Sequence, residues 1–311
     1  MRILVVGAGA IGGYFGGRLL QAGRDVTFLV RSGRAALLAK HGLKIRSKLG
    51  DFHTATPPLV AADGLAEPFD LVLLSCKAYD LEGAMASFAG AVGPNTAILP
   101  MLNGMRHLEI LAEHFGAERV LGGQCVISAT LDAEGAIVHL NDLHSMTFGE
   151  LDGARSPRIE AIASAMTGAG FDARLSELIR LEMWEKWTFI ATGAGITCLM
   201  RSTVGDIVTA GATDLAMGLF TECAAIATAQ GFPPRQALLE RSKAALTTPG
   251  SPLAASMLRD IEGGMPVEAD HVLGDLLRRA AGIAERSLLR IAYLNLKTYE
   301  ARRERLEKAK S

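Results

Sequence analysis

The chain has 311 residues, 49% of them hydrophobic and 21% charged, with a formal net charge of −1. That length suits two domains rather than one core. The composition excludes a disordered chain, the balanced charge offers no nucleic-acid footprint, and no apolar run is long and uniform enough to span a membrane.

Arg2 to Val6 reads as a strand. Gly7-Ala8-Gly9-Ala10-Ile11-Gly12 follows, and a helix continues from Tyr14 to Ala22. Each glycine of this GxGxxG turn has a physical task. Gly7 lets the chain turn tightly out of the strand, Gly9 lets backbone approach a pyrophosphate, and Gly12 lets the helix pack close to the sheet. The free N–H groups of the helix start then face the phosphates. Gly13, Gly16 and Gly17 each cost a helix roughly 1 kcal/mol against alanine, so their presence predicts close packing. Asp25 to Val30 supplies a second strand and completes a β-α-β unit around the turn. The second strand ends at Arg31, where an acid would accept from a free ribose 2′-hydroxyl. Arginine there pairs instead with a 2′-phosphate, with Ser32 and Arg34 able to assist, and points to NADP (NADPH) as cofactor. A solvated surface arginine is the plain alternative.

Phe69 to Ser75 and Thr96 to Leu102 read as buried parallel strands, and Val120-Leu121 with Gln124 to Ala129 as another. Ile137-Val138 and Met146 to Gly149 suggest a hairpin through Asn141-Asp142, and Gly170 to Leu175 a last strand. The alternation predicts an α/β fold with one open sheet wound on both faces through residues 1–175. From Ser176 strand signals vanish. Ser176 can cap a helix carrying Glu177 in its first turn, and further helices are predicted near 202–230, 234–246, 252–262, 267–285 and 287–309. Residues 176–311 thus form an all-helical second domain, with a solvated charged end.

Ligands of parallel sheets lie beyond the carboxyl ends of strands. Lys77 follows one such strand and Asn103 another, though a solvated lysine and an ordinary Asn-Gly turn are the simpler readings. Lys186 falls on the helical face of Ile179, Met183 and Ile190, which points it into a cleft or leaves it snorkelling; Glu182, four residues earlier, offers an exposed pair instead. Glu268 follows Pro266 and falls in the first turn of a helix, where the dipole favours its ionised form. Ser256 lies on the preceding helix, where a serine also bonds its own backbone. The cysteines Cys76, Cys125, Cys198 and Cys223 have no CxxC spacing and read as buried thiols of a reducing cytosol. The apolar start is broken by glycines and does not read as a signal peptide, so a cytoplasmic location is expected. The histidines show no ligand spacing, and no metal is expected.

These pieces resemble the ketopantoate reductases (2-dehydropantoate 2-reductases), within the superfamily that includes 6-phosphogluconate dehydrogenase. ILVVGAGAIGGYFGGRL, SCKAYD, LPMLNGM, EMWEKW and SMLRDIEGGMPVEADHVLG carry the resemblance, which spans most of the chain. It implies a Rossmann-type NADPH-binding domain followed by a helical domain similar to the C-terminal part of 6-phosphogluconate dehydrogenase. The implied reaction reduces a small 2-oxoacid, 2-dehydropantoate to pantoate, as in pantothenate biosynthesis. The resemblance implies that Gly7 to Gly12 hold the pyrophosphate and that Arg31 reads the 2′-phosphate. Lys77 and Asn103 fall near the nicotinamide ribose and the reacting centre. Lys186 matches the proton donor, Glu268 the glutamate that holds the substrate hydroxyl, and Ser256 a substrate contact. The chain departs from the pattern where Ile190, Ala194 and Leu253 replace asparagines. Each lost amide contact removes about 0.5–1.5 kcal/mol of net hydrogen bonding. The alternatives are therefore a reductase of a more apolar 2-oxoacid, or an NADPH-binding redox sensor without turnover. Long apolar helices in the second half also suit a homodimer, although core packing explains them equally.

Overall fold

The computed structural model describes residues 1–280, 282 and 287–309. The chain divides into two compact units, Met1–Leu102 with His107–Arg180, and Asn103–Arg106 with Leu181–Ser311.

In the first unit the chain runs β1 (Arg2–Val6), α1 (Ala10–Gln21), β2 (Asp25–Leu29), α2 (Ser32–His41), β3 (Leu43–Arg46), β4 (Phe52–Thr54), β5 (Leu59–Val60) and β6 (Leu71–Leu74). It continues through α3 (Leu81–Phe88), β7 (Ala97–Pro100), α4 (Arg106–Phe115), β8 (Gly122–Leu131), β9 (Ile137–Gly149), α5 (Pro157–Met166) and β10 (Asp172–Leu175). A parallel sheet takes the order β5-β2-β1-β6-β7. Its central strands are continuous apolar runs, ILVV in β1 and LVLL in β6, because both of their faces are covered. Val6 is in register with Leu29 on one side and Leu74 on the other, so β2, β1 and β6 end level. Between β1 and β6 the chain switches the direction in which it builds the sheet, the place where such folds bind ligands.

The predicted single open sheet is corrected here. β8, β9 and β10 join β3 and β4 in a second sheet, in which β9 pairs antiparallel with β8 along one edge and parallel with β3 and β10 along the other. Helix α1 lies between the two sheets, which is what its glycines serve. A Cβ on Gly16 would sit 2.6 Å from Phe28, in the first sheet, and one on Gly13 or Gly17 would sit 2.7 or 2.8 Å from Ile137 or Ile45, in the second. The predicted turn at Asn141-Asp142 is also corrected, since β9 runs unbroken through both residues. The hairpin turns at 132–136 instead. There the Asp132 carboxylate accepts from the Glu134 and Ala136 amides, and Gly135 adopts a φ of 80°. Asn141 serves a bulge, its Oδ1 accepting from the Ser128 amide beside a register shift between Ile127 and Ala129.

The second unit is helical: α6 (Ile179–Met200), α7 (Val204–Thr209), α8 (Thr213–Ala229), α9 (Gln236–Thr247), α10 (Ser256–Glu262), a π-helical turn over Asp270–Gly274 that runs into α11 (Asp275–Arg278), and α12 (Leu288–Lys308). Four sequence expectations change. The α6 helix begins at Ile179, so Glu177 precedes it, and Ser176 Oγ accepts from the Leu178 amide as a turn. The helix predicted over 202–230 is two, broken where Gly211 takes a φ of 80°. The helix predicted from 252 starts at Ser256. The stretch predicted over 267–285 is helical only from Ala269 to Arg278, so Glu268 precedes the helix instead of standing in its first turn, its carbonyl accepting from the Val272 amide at 2.9 Å; residues 281 and 283–285 of that stretch lie outside the described residues. No described helix is long and apolar enough to cross a membrane.

Candidate active site

The glycine turn sits at the switch point of the parallel sheet. Gly7 has a φ of 92°, which only glycine adopts without strain, and its amide donates to Leu29 O at 3.0 Å. Ser75, directly after β6, donates Oγ to Val6 O at 2.9 Å and to Gly7 O at 3.0 Å, clasping the turn from the neighbouring strand. A Cβ on Gly12 would lie 2.1 Å from both Gly7 O and Ser75 Oγ, so the helix can start this close to the turn only with glycine there. Gly9 is the N-cap of α1; no side chain caps the helix, no acid stands in its first turn, and a Cβ on Gly9 would meet nothing within 4 Å. Ala8 is buried, while Gly9, Ala10 and Ile11 border the open side. A positive helix end with no internal anion and free space beside it fits a pyrophosphate.

Arg31, after β2, is 74% exposed, and its Nη2 donates to Asp80 Oδ1 at 2.9 Å. Arg34 is arranged differently from the sequence expectation. Its Nε donates to Ala8 O at 2.7 Å and its Nη1 to Gly135 O at 2.8 Å, so it ties the glycine turn to the β8–β9 hairpin. Lys77 is half-buried and precedes the short 3₁₀ turn Ala78–Asp80 that follows β6. Gly7 to Gly12, Arg31 and Lys77 therefore share one end of one sheet.

Asn103, Lys186, Ser256 and Glu268 belong to the second unit. Asn103 and Glu268 are half-buried and meet through His271, a residue that the sequence offers only as a non-ligand. Gly104 takes a φ of 78° and approaches His271 so closely that a Cβ would lie 3.1 Å from its carbonyl oxygen and 3.2 Å from its ring. Burial holds the His271 imidazole below its ordinary value; the Glu268 charge, a hydrogen bond to the Asn103 backbone and Asp275 pull it upward, and Arg106 lowers it. Lys186 is half-buried on α6. The next residue, Trp187, is fully buried and donates Nε1 to Val272 O at 2.8 Å, which ties α6 to the π-helical turn after Glu268. Glu182 is buried, not exposed as the sequence spacing suggests. It is 8% exposed and lies 3.8 Å from Arg235 Nη2, beside the Arg235–Glu185 pair at 2.5 Å.

Ser256 is exposed and opens α10 rather than lying within it. The Ala255 amide donates to Thr197 Oγ1 at 3.3 Å, which places Ser256 near the level of Thr197. Thr197 stands three turns beyond Lys186 on the same stripe of α6, about 16 Å along its axis. The stripe between them carries Ile190 and Ala194. Leu253 packs against the cluster of Val204, Phe220 and Leu246.

Comparison with known proteins agrees with this architecture. Residues 3–153 match the family model "Ketopantoate reductase PanE/ApbA", and residues 178–287 match its C-terminal counterpart. The chain is 40% identical over 303 residues to the "Uncharacterized oxidoreductase YkpB" of Bacillus subtilis, covering 97% of this chain and 99% of that protein. It is 30% identical to the 2-dehydropantoate 2-reductase of Mesorhizobium japonicum, over 88% and 89% of the two chains. A crystal structure of 2-dehydropantoate 2-reductase from Geobacter metallireducens superposes with a TM-score of 0.87 at 30% identity, covering 96% of this chain and 99% of that one.

Proposed function

The chain belongs to the ketopantoate reductase family, whose members are NADP-dependent oxidoreductases acting on CH–OH groups, and from that premise we propose that it reduces a small 2-oxoacid, with 2-dehydropantoate as first candidate and pantoate as product. The observation that carries the reading is the uncapped, acid-free start of α1 beside Gly9, at the level of Arg31. When bound, the reduced nicotinamide supplies the hydride that ends on the keto carbon. The backbone of Gly9 to Gly12 holds the pyrophosphate, Arg31 the 2′-phosphate, and Lys77 the nicotinamide ribose. Lys186, as an ammonium, stabilises negative charge on the carbonyl oxygen and delivers its proton there. Glu268 holds a substrate hydroxyl, Asn103 orients the reacting group, and Ser256 contributes a substrate contact. The arrangement needs no metal.

Ile190, Ala194 and Leu253 favour a second reading, a 2-oxoacid with an apolar body. Leu253 is already committed to an apolar cluster, so it offers no polar contact. Cys76, Cys125, Cys198 and Cys223 are thiols outside any disulfide and suit a reducing cytosol; burial pushes the last two up to about 12. Exposed Ile291, Leu294 and Leu306 along α12 suit a homodimer.

The test is consumption of NADPH, and separately of NADH, against a panel of 2-oxoacids that includes 2-dehydropantoate and aliphatic and aromatic members. Turnover of 2-dehydropantoate supports the first reading. Turnover confined to apolar members supports the second. NADPH binding without turnover of any member contradicts both and leaves a sensor.

A further inference from the structure

The exposed guanidinium of Arg31 is already engaged. Its partner Asp80 closes the 3₁₀ turn after β6, and the Asp80 amide donates to Lys77 O at 2.9 Å. Arg31 and Asp80 are 49 residues apart in sequence. They meet because β2 and β6 flank β1 and end level with it, so the segment after each strand emerges at the same edge. Side-chain exposures of 74% and 36% make the pair a weak structural link, worth less than about 1 kcal/mol. The carboxylate therefore adds little to the fold, yet it stands 2.9 Å from the side chain assigned to the 2′-phosphate. A phosphate monoester near neutral pH carries close to two negative charges and takes a guanidinium by a paired, charge-assisted geometry. Asp80 occupies part of that fork and repels the incoming charge.

We propose that Asp80 is a coenzyme-selectivity residue: it holds Arg31 in competition with the 2′-phosphate and so narrows the preference for NADPH over NADH. The proposal rests on the reading of Arg31 as the 2′-phosphate contact. The hydrogen-bonding requirements of the two coenzymes differ at that ribose alone. A carboxylate there lowers affinity for the phosphorylated form and tolerates, or accepts from, a free 2′-hydroxyl. A basic residue without this partner would select NADPH more sharply.

Calorimetric titration of the full chain with adenosine 2′,5′-bisphosphate and with 5′-AMP isolates this corner from the chemistry. Asp80→Asn is expected to bind the bisphosphate about 5- to 10-fold more tightly at low salt and 5′-AMP with little change, and the gain should shrink as salt is raised. NADPH and NADH should follow the same pattern. Arg31→Gln should lose the advantage of the bisphosphate over 5′-AMP, and the Asp80→Asn/Arg31→Gln double variant should show no gain. An Asp80→Asn protein that binds the bisphosphate equally or more weakly overturns the selectivity proposal while leaving the Arg31 reading intact. An Arg31→Gln protein that keeps the bisphosphate advantage overturns the Arg31 reading and the proposal with it. Thermal melting of each variant checks that the fold is unchanged.

Discussion

In the first unit, α1 meets its surroundings through glycine; in the second, α6 meets its own through tryptophan, threonine and paired charge. The start of α1 works by omission. Removing side chains at Gly12, Gly13, Gly16 and Gly17 lets two sheets close on one helix, and leaving Gly9 bare exposes uncapped N–H groups. Helix α6 works by addition. Thr188 and Thr192 return their hydroxyls to carbonyls four residues back, Trp187 reaches Val272, and Glu185 holds Arg235. A backbone site of this kind is read mostly from adjacent residues, and at Gly12 it has no room for an added atom. A side-chain site tolerates small changes but depends on partners far along the chain.

The largest contrast is expected within the glycine turn. Gly12→Ala places a Cβ against a backbone oxygen, so the variant should lose about 3 kcal/mol or more of stability, or fail to fold. Gly9→Ala has room and an extended backbone, φ −78° and ψ −162°, so its stability should stay within about 0.5 kcal/mol of the parent. Its NADPH affinity should nevertheless fall at least about tenfold, because the new methyl enters the site proposed for the pyrophosphate. Denaturant melts and NADPH fluorescence titrations measure the two effects separately. Equal stability loss in both variants would break the distinction.

A smaller effect is expected in the second unit. Trp187→Phe keeps an aromatic ring but removes the indole donor to the Val272 carbonyl, a cost of about 0.5–1.5 kcal/mol in urea melts followed by circular dichroism. An unchanged midpoint would show that the tie between α6 and the π-helical turn carries no load.

The smallest concerns pH. Burial lowers the imidazole of His271 in the second unit and of His144 in the first. For each, the unfolded chain takes up its proton first. The stability is present above the ordinary imidazole value of about 6.5 and is lost as pH falls through the lower folded value. His271→Asn should flatten the fall in melting temperature as pH drops below about 6.5. Glu268, Asp275 and Arg106 face that ring and act on the same slope. The fluorescence of Trp184 and Trp187 reads this transition in the second unit. A slope as steep as the parent's would remove His271 from the account.

How much was legible in the sequence follows the same division. The β1-turn-α1-β2 unit can be read from a few adjacent residues, because strand, glycine turn and helix start each carry a local requirement. The β8–β9 hairpin was misplaced because Asn141-Asp142 has turn chemistry, while the turn that forms depends on Asp132 accepting from amides two and four residues on. The short strands β3, β4 and β5 carry too few residues to announce themselves, and β3 is apolar at Leu43 and Ile45 because it packs on α1. In the helical unit, Lys186 and Glu268 were visible as polar residues in unusual places, and the family resemblance supplied their roles. His271 was visible only as a histidine near Glu268. Its closeness to Asn103 and Gly104 spans well over a hundred residues of chain and has no local sign. Asp80 was hidden in the same way from Arg31.

The proton donor is the claim on which the chemistry turns, and Lys186→Ala tests it most directly, with NADPH turnover and NADPH affinity measured on the same preparation. Turnover of the best 2-oxoacid should fall about 10²- to 10⁴-fold, while NADPH binds within about twofold of the parent. Near-normal turnover in that variant would contradict the account.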